Sequence, residues 1–251
     1  VPLGITTSIE IRTRLTQTGT ANVAGLLPGS DPELAREVVL FSAHHDHYGV
    51  GRPNQAGDSI YNGALDNGVA MAQALAVARA IASLSPRPRR SVLFLFVAAE
   101  ERGRLGSIYY AEHPTFPPGR IAANLNFEMG NIWGRTRDVA IFGRGKSTLE
   151  DLLALAAARQ DRVVVGEADP DAGWYYRSDQ LSFAQIGVPA IWFKSGTDFI
   201  GQPAGWGDEV MRRWIAEQYH QPTDEVEDGW VFDGMVEDAR LALWLGLHVA
   251  N

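Results

Sequence analysis

The sequence contains no cysteine, and this absence excludes disulfide bonds, thiolate nucleophiles and zinc sites built on cysteine sulfur. Positively charged residues are also fewer than negatively charged ones. Lysine and arginine number 22 against 30 aspartates and glutamates, so the formal net charge is −8 at pH 7. Such a chain is a poor match for nucleic acid or for an anionic membrane surface. We therefore expect neither as a partner.

Long apolar runs are missing too, since none reaches the ~20 residues that a membrane span needs, and no signal peptide is visible. The chain begins with Val1 instead of methionine, so we expect a processed piece in which residues 1–20 are a lead-in from a longer precursor. What is present is an ordinary globular composition, with 45% hydrophobic residues in a length of 251. This length favours one domain over residues 1–251.

The hydrophobic pattern predicts strands that alternate with helices. Strands are predicted over residues 9–15, 22–27, 37–43, 92–97, 121–127, 139–142 and 190–193. Helices are predicted from just after Asn67 to about residue 84, over residues 106–113, 149–158, 174–186 and 232–249, and in a stretch just before His220. This alternation indicates an α/β fold, a three-layer α/β/α sandwich with a mostly parallel, mixed central sheet.

Two adjacent acids, Glu100 and Glu101, follow the apolar strand at residues 92–97. Acids at the end of a buried strand are costly unless something there uses negative charge. In open α/β sheets, sites form beyond the carboxyl ends of the strands. Because neighbouring side chains point in different directions, one acid can bind a cation while the other moves a proton. Taken alone, however, the stretch also fits a solvated acidic turn.

Other polar residues stand at equivalent positions. His44 and Asp46 follow the strand at 37–43, Glu128 follows the strand at 121–127, Asp66 precedes the first long helix, and His220 lies near the C-terminus. One such residue is usually structural, but parallel strands bring their carboxyl ends to one edge. Two imidazoles and three carboxylates suit Zn²⁺, with Mn²⁺ or Co²⁺ possible, and are too rich in nitrogen for Ca²⁺. The set fits two ions, ~3.5–4 Å apart, that activate a water and polarise a carbonyl.

Five motifs occur in one order along the chain. They are Ala43-His44-His45-Asp46-His47-Tyr48-Gly49, Gly63-Ala64-Leu65-Asp66-Asn67, Glu100-Glu101-Arg102-Gly103, Asn126-Phe127-Glu128-Met129 and Tyr219-His220-Gln221-Pro222-Thr223-Asp224. In this order the chain resembles the co-catalytic zinc aminopeptidase family. That family includes bacterial leucyl-type aminopeptidases, glutamate carboxypeptidases and, as divergent relatives, glutaminyl cyclases. The resemblance runs from about residue 22 to the C-terminus and implies a zinc-peptidase catalytic domain.

The resemblance also implies a division of the metal ligands. His44 and Glu128 would bind one zinc, Glu101 and His220 the other, and Asp66 would bridge both. Many members have aspartate where this chain has Glu128, so we expect a displaced backbone there.

Roles for further residues follow from the same resemblance. Glu100 would be the general base that takes a proton from the bridging water and passes it to the leaving amine. Tyr219 would hydrogen-bond the tetrahedral oxyanion. Asp46 would hold the His44 ring in one tautomer, and Asn67 would support the site across a cis peptide bond after Asp66.

Three further positions are assigned smaller roles than the metal ligands and the general base. His45 is expected to face the other side of its strand, and His47 to shape the cleft without ligating. Arg177 resembles a residue on the substrate side of the family's cleft, although a helix cap by Ser178 or Asp179 explains the same stretch.

The function expected from the resemblance is that of an aminopeptidase acting on a peptide with a free N-terminus, whose ammonium group Glu100 and Glu128 would anchor. Three alternatives stay open. A glutaminyl cyclase would use one zinc, a carboxypeptidase would need an arginine-rich pocket, and a binding protein would keep the fold without catalysis. The resemblance also implies a secreted or periplasmic protein. The sequence leaves open the side-chain preference, the native metal and the oligomeric state.

Overall fold

A seven-stranded sheet lies at the centre of the computed structural model, which describes residues 4–251. Its strands are β1 (Val23–Leu27), β2 (Val38–His44), β5 (Ser91–Val97), β6 (Ile121–Asn126), β7 (Asp138–Phe142), β8 (Val163–Gly166) and β9 (Ala190–Ser195). A separate small hairpin pairs β3 (Gly49–Val50) with β4 (Ile60–Tyr61). The order across the large sheet is β1-β5-β2-β6-β9-β7-β8.

The four middle strands β5, β2, β6 and β9 run parallel to one another, while β1 pairs antiparallel with β5 and β7 pairs antiparallel with β9 and parallel with β8. The mostly parallel, mixed sheet predicted from the sequence is therefore confirmed. Every residue of β2 and of β5 is buried, as expected for parallel strands covered on both faces. The carboxyl ends of the four middle strands consequently meet at one edge.

Six α-helices within residues 4–251 accompany the sheet. They are α1 (Ala70–Ala82), α2 (Leu105–Glu112), α3 (Leu149–Ala158), α4 (Gln180–Gln185), α5 (Trp206–Glu217) and α6 (Asp233–Ala250). Helices α1, α3 and α6 pack on one face of the sheet through Val77, Leu153 and Leu245. Helices α2 and α4 pack on the other face through Tyr110 and Phe183. These three layers confirm the predicted sandwich.

Two local predictions were wrong, and one strand of the large sheet was not predicted. Residues 9–15 form no strand, and Ile9, Ile11 and Leu15 are exposed, because alternation alone does not supply a partner strand. The predicted helix at 174–186 is split into the short turn Trp174–Tyr176 and α4. Strand β8 was missed.

None of the helices within residues 4–251 combines the length and apolar character that a membrane span requires.

Candidate metal centre

His44, the last residue of β2, reaches two carboxylates from a fully buried position. Its Nε2 lies 3.2 Å from Asp66 Oδ1 and 3.1 Å from Glu128 Oε1. Its Nδ1 donates a 2.9 Å hydrogen bond to the backbone carbonyl of Asp46, which leaves Nε2 free to ligate. Asp46 thus holds the ring through its main chain. Its carboxylate instead accepts the N–H of Ala99 at 2.8 Å.

His220 approaches the same centre from the C-terminal part of the chain. Its Nε2 lies 3.3 Å from Asp66 Oδ2 and 3.0 Å from Glu101 Oε2. Its Nδ1 is 3.3 Å from the hydroxyl of Tyr48. The two oxygens of Asp66 therefore face two different imidazoles, one on each side.

The peptide bond between Asp66 and Asn67 is cis, as the sequence analysis predicted. Asn67 is buried and ties two segments together. Its Nδ2 donates to the carbonyl of Phe127 at 3.1 Å, and its Oδ1 accepts the N–H of Met129 at 3.1 Å. These bonds hold the segment that carries Glu128 against the turn that carries Asp66.

Two residues that sequence reasoning did not assign also support the ligands. Ser178 donates a 2.7 Å hydrogen bond to Glu128 Oε2, so it acts on the site and is not a helix cap. Asp224, fully buried, accepts the backbone N–H groups of Leu65 at 2.9 Å and Asp66 at 3.1 Å. Asp224 stands in the fifth motif of the sequence analysis. Its role was not assigned there, because its burial cannot be seen in the sequence.

The electrostatics of the centre show strong coupling between histidines and carboxylates. Burial opposes the charged form of His44, but the charges of Glu128 and Asp66 outweigh it and raise the pKa of His44 well above its usual range. Burial likewise opposes charged His220, while its close contacts with the carboxylates of Asp66 and Glu101 raise its pKa to about 9. Burial would raise the pKa of Asp66, yet the two histidines hold it below its usual range. The carboxylates thus retain negative charge that a cation would neutralise.

Three groups of side chains have ligand atoms that lie within 4.8 Å of one another. They are His44 with Asp66 and Glu128, His47 with Asp66 and Glu101, and His44 with Glu100 and Glu101. Within residues 4–251, both ring nitrogens of His47, Glu101 Oε1 and His220 Nε2 are buried without a hydrogen-bond partner. Buried polar atoms of this kind call for an ion or water. Imidazole and carboxylate donors in this number fit Zn²⁺.

His47 is closer to the centre than the sequence analysis expected. It lies beyond the end of β2, where the alternation of the strand no longer fixes side-chain direction. Its Nδ1 is 2.7 Å from Glu101 Oε1. His45, by contrast, points away and its Nε2 contacts the carbonyl of Ala21 at the surface.

Glu100 begins the short turn Glu100–Arg102 that follows β5. It lines a cavity of about 360 Å³ together with Asp66, Glu128 and Tyr219. Burial and the charges of Glu128 and Asp179 raise the pKa of Glu100 to about 10. A carboxyl group with a raised pKa in a cleft, beside a set of metal donors, is typical of a proton carrier.

Tyr219 and Arg177 form one wall of this cavity. The ring of Tyr219 stacks on His220 with centroids 3.7 Å apart. Arg177 lies over the ring of Trp174, 4.9 Å from its centroid, and its guanidinium is 3.5 Å from the Tyr219 hydroxyl. Burial, followed by the charge of Asp66, raises the pKa of Tyr219. The phenol therefore stays protonated and can donate a hydrogen bond.

The sequence model of peptidase family M28 matches residues 22–233. The chain is also similar to leupeptin-inactivating enzyme 1 of Streptomyces exfoliatus, with 27% identity over 208 residues. That match covers 81% of this chain but 43% of the relative. The chain thus spans less than half the length of this curated relative.

Two solved structures share the fold at low sequence identity. The LapA aminopeptidase of Legionella pneumophila aligns with a TM-score of 0.65 and 19% identity, over 91% of this chain and 54% of that one. A zinc aminopeptidase of Bacillus subtilis, BSAP, aligns with a TM-score of 0.64 and 20% identity, over 89% and 48%. At these identities the likeness concerns the fold.

Proposed function

Because the chain belongs to peptidase family M28, we propose that it is a zinc-dependent aminopeptidase that removes the N-terminal residue of a peptide. The observation that carries this proposal is the Asp66 carboxylate, whose oxygens lie 3.2 Å from His44 and 3.3 Å from His220. A carboxylate shared by two imidazoles suits two neighbouring ions. We propose two Zn²⁺, with Mn²⁺ or Co²⁺ as substitutes.

Bound zinc ions would polarise the peptide carbonyl and lower the pKa of an attacking water. Glu100 supplies the proton transfer. It accepts a proton from the water and donates it to the leaving amine, which is a poor leaving group unless protonated. Burial and, after it, repulsion by Glu128 raise the pKa of Glu100. A cation bound to Glu128 would remove the second cause and lower the pKa of Glu100, which favours the ionised form that acts as a base.

Tyr219 is the further catalytic residue that we propose, and it lies with Arg177 in the wall of the cleft. Its hydroxyl donates to the oxygen on which negative charge develops during attack. Arg177, 3.5 Å from that hydroxyl, orients it and adds positive charge near the same oxygen.

The charge of the cleft supports recognition of a free ammonium group. Four carboxylates line it, those of Asp66, Glu100, Glu101 and Glu128. Metal binding uses three of them in our assignment. The carboxylate of Glu100 and the Oε2 atom of Glu128, which also accepts from Ser178, are the candidates to hold the ammonium.

A carboxypeptidase is the second candidate, because one observation favours it. Such an enzyme would need an arginine-rich pocket, and Arg104 and Arg177 both line the cavity. Arg104, however, is already engaged, since it donates to Ser182 Oγ at 3.1 Å. The cyclase and the binding protein have less support, because the chain keeps both His44 and His220 beside Asp66.

Two versions of one pentapeptide separate these activities. The first has a free N-terminus and an amidated C-terminus, and the second is N-acetylated with a free C-terminus; each is made with N-terminal methionine, glutamate and glutamine. The proposal predicts stepwise cleavage of the first version alone, lost with a chelator and restored by zinc. Cleavage of the second version alone would indicate a carboxypeptidase. Cyclisation of an N-terminal glutamine without hydrolysis would indicate a cyclase, and inertness with zinc bound would indicate a binding protein.

A further inference from the structure

A second cavity, of about 620 Å³, adjoins the metal cleft. The two cavities share Met129, which follows Glu128 in the chain, and Trp174. Most of the second cavity is apolar, with walls formed by Met129, Ala140, Phe142, Trp174, Met211 and Ile215. A chamber that opens beside the reacting centre is positioned to take the side chain of the residue being cleaved.

Lys194 lines this chamber and is the one lysine there, the other lysine of the chain being the exposed Lys146. Strand β9 places Lys194 on the same face as Trp192, about 6.6 Å further along the strand. Trp192 donates from its indole nitrogen to the backbone carbonyl of Glu128. Across the sheet, Lys194 pairs with Ala140 of β7, whose small side chain leaves the chamber open.

The ammonium group of Lys194 forms no salt bridge and no hydrogen bond within residues 4–251, and the residue is 8% exposed. Asp238, whose charge acts on Lys194, is bound instead to Arg162 at 2.8 Å and to the N–H of Ser195 at 2.7 Å. The described neighbour of the ammonium is the ring of Phe142, with the centroid 5.8 Å from Nζ. Burial lowers the pKa of Lys194 to about 8 against the charges of Glu128, Asp238 and Asp66. The group therefore remains mostly cationic at neutral pH, and a buried unpaired cation is expensive.

The other charged residues of the chamber are more exposed than Lys194. Asp169 and Arg212 are exposed, and Asp208 and Glu167 are partly exposed. One oxygen of Glu167 accepts the N–H of Gly143, while its other oxygen, Oε2, is buried without a hydrogen-bond partner among the described residues. Solvent screens the exposed charges, so the interior of the chamber holds this carboxylate oxygen and one cation, Lys194.

We propose that this chamber receives the side chain of the substrate's N-terminal residue and that Lys194 selects an acidic side chain there. The inference rests on the proposed aminopeptidase function. A glutamate carboxylate would form a charge-assisted hydrogen bond with the ammonium. An apolar side chain of equal length would leave the cation unpaired, and sites with buried polar groups discriminate strongly against such analogues.

The test compares aminoacyl-4-nitroanilides of glutamate, glutamine, methionine and lysine on the zinc-loaded protein. We expect kcat/KM for glutamate to exceed that for methionine at least tenfold. Lys194→Met should lower the glutamate value at least tenfold and leave the methionine value within threefold. Lys194→Arg should keep the glutamate preference, and the surface control Lys146→Met should match wild type. Retained methionine turnover shows that the Lys194→Met protein is folded.

Binding supplies a readout that is independent of turnover. Calorimetry should show free glutamate binding at least tenfold more tightly than free methionine, with the difference lost in Lys194→Met. A glutamate-to-methionine ratio unchanged in that variant, or a wild-type preference for lysine nitroanilide, would overturn the inference while leaving the aminopeptidase intact. Lys194-dependent binding of glutamate without hydrolysis of any nitroanilide would support the chamber and overturn the aminopeptidase. Absence of both binding and hydrolysis would overturn both.

Discussion

The carboxylate of Asp224 accepts a 3.1 Å hydrogen bond from the backbone N–H of Asp66. Its other oxygen accepts the N–H of Leu65 at 2.9 Å. Asp66, the proposed bridging ligand, thus depends for its position on a second carboxylate that is itself fully buried and that contacts the main chain. Outer groups of this kind commonly set metal affinity because they fix the ligand's direction.

Asp224→Asn should weaken zinc binding by about 10- to 100-fold. An asparagine can accept from one of the two N–H groups, but its NH₂ group would confront the other. Competition with a chromophoric chelator measures the change, and Asp228→Asn, an exposed acid nearby, is the matched control. Equal zinc affinity in the Asp224 variant and wild type would show that Asp224 does not position Asp66.

Glu100→Gln should reduce kcat by about 10²- to 10⁴-fold, because the amide can neither take nor return the proton. Zinc affinity should stay within threefold, since Glu100 is not assigned as a ligand. Steady-state kinetics with zinc titration in parallel checks both, and Glu112→Gln on the exposed side of α2 is the control. A variant that keeps more than a tenth of the activity would remove Glu100 from its assigned role.

Zinc should stabilise the fold as well as support activity. A ligand at about 1,000 times its Kd adds about 4 kcal/mol to the free energy of unfolding, and in a domain of this size that corresponds to a rise in Tm of roughly 10 °C. Differential scanning calorimetry with chelator, zinc and magnesium measures the effect. The rise should be absent with magnesium and much smaller in Asp66→Asn; equal shifts for zinc and magnesium would argue against a nitrogen-containing site.

The pH dependence of stability should report the buried Lys194. Because its pKa falls from 10.5 to about 8 on folding, the unfolded chain binds more protons between these values, and the wild-type free energy of unfolding gains from this group as pH rises. Lys194→Met lacks the cost of burying a cation. It should therefore be more stable than wild type at pH 7, by a margin that shrinks towards pH 10. Urea unfolding in chelator at both pH values tests this; a constant margin would contradict it.

The sequence predicted helices and strands accurately where its hydrophobic residues recur with a regular period. Residues 149–158 form α3 as predicted, and β2 and β5 match their predicted apolar runs within one residue at each end. The segment at 9–15 shows the limit of this reasoning, since its alternation resembles a strand but nothing in the described chain pairs with it.

The centre was partly accessible from sequence because its members stand at strand ends, as His44 and Glu128 do. Ser178 and Asp224 were harder to assign, since their roles depend on distances across the fold and on burial. Lys194 carried no sequence signal at all. It follows an apolar run whose composition indicates a core strand. The adjoining chamber is open beside it because the cross-strand neighbour of Lys194 is the small residue Ala140.

Diffraction from zinc-soaked crystals at the zinc absorption edge tests the central claim most directly. The account predicts two anomalous peaks on either side of the Asp66 carboxylate, one beside His44 and Glu128 and the other beside His220 and Glu101, at ligand distances of about 2.0–2.2 Å. Absence of peaks there, or a single peak remote from Asp66, would contradict it.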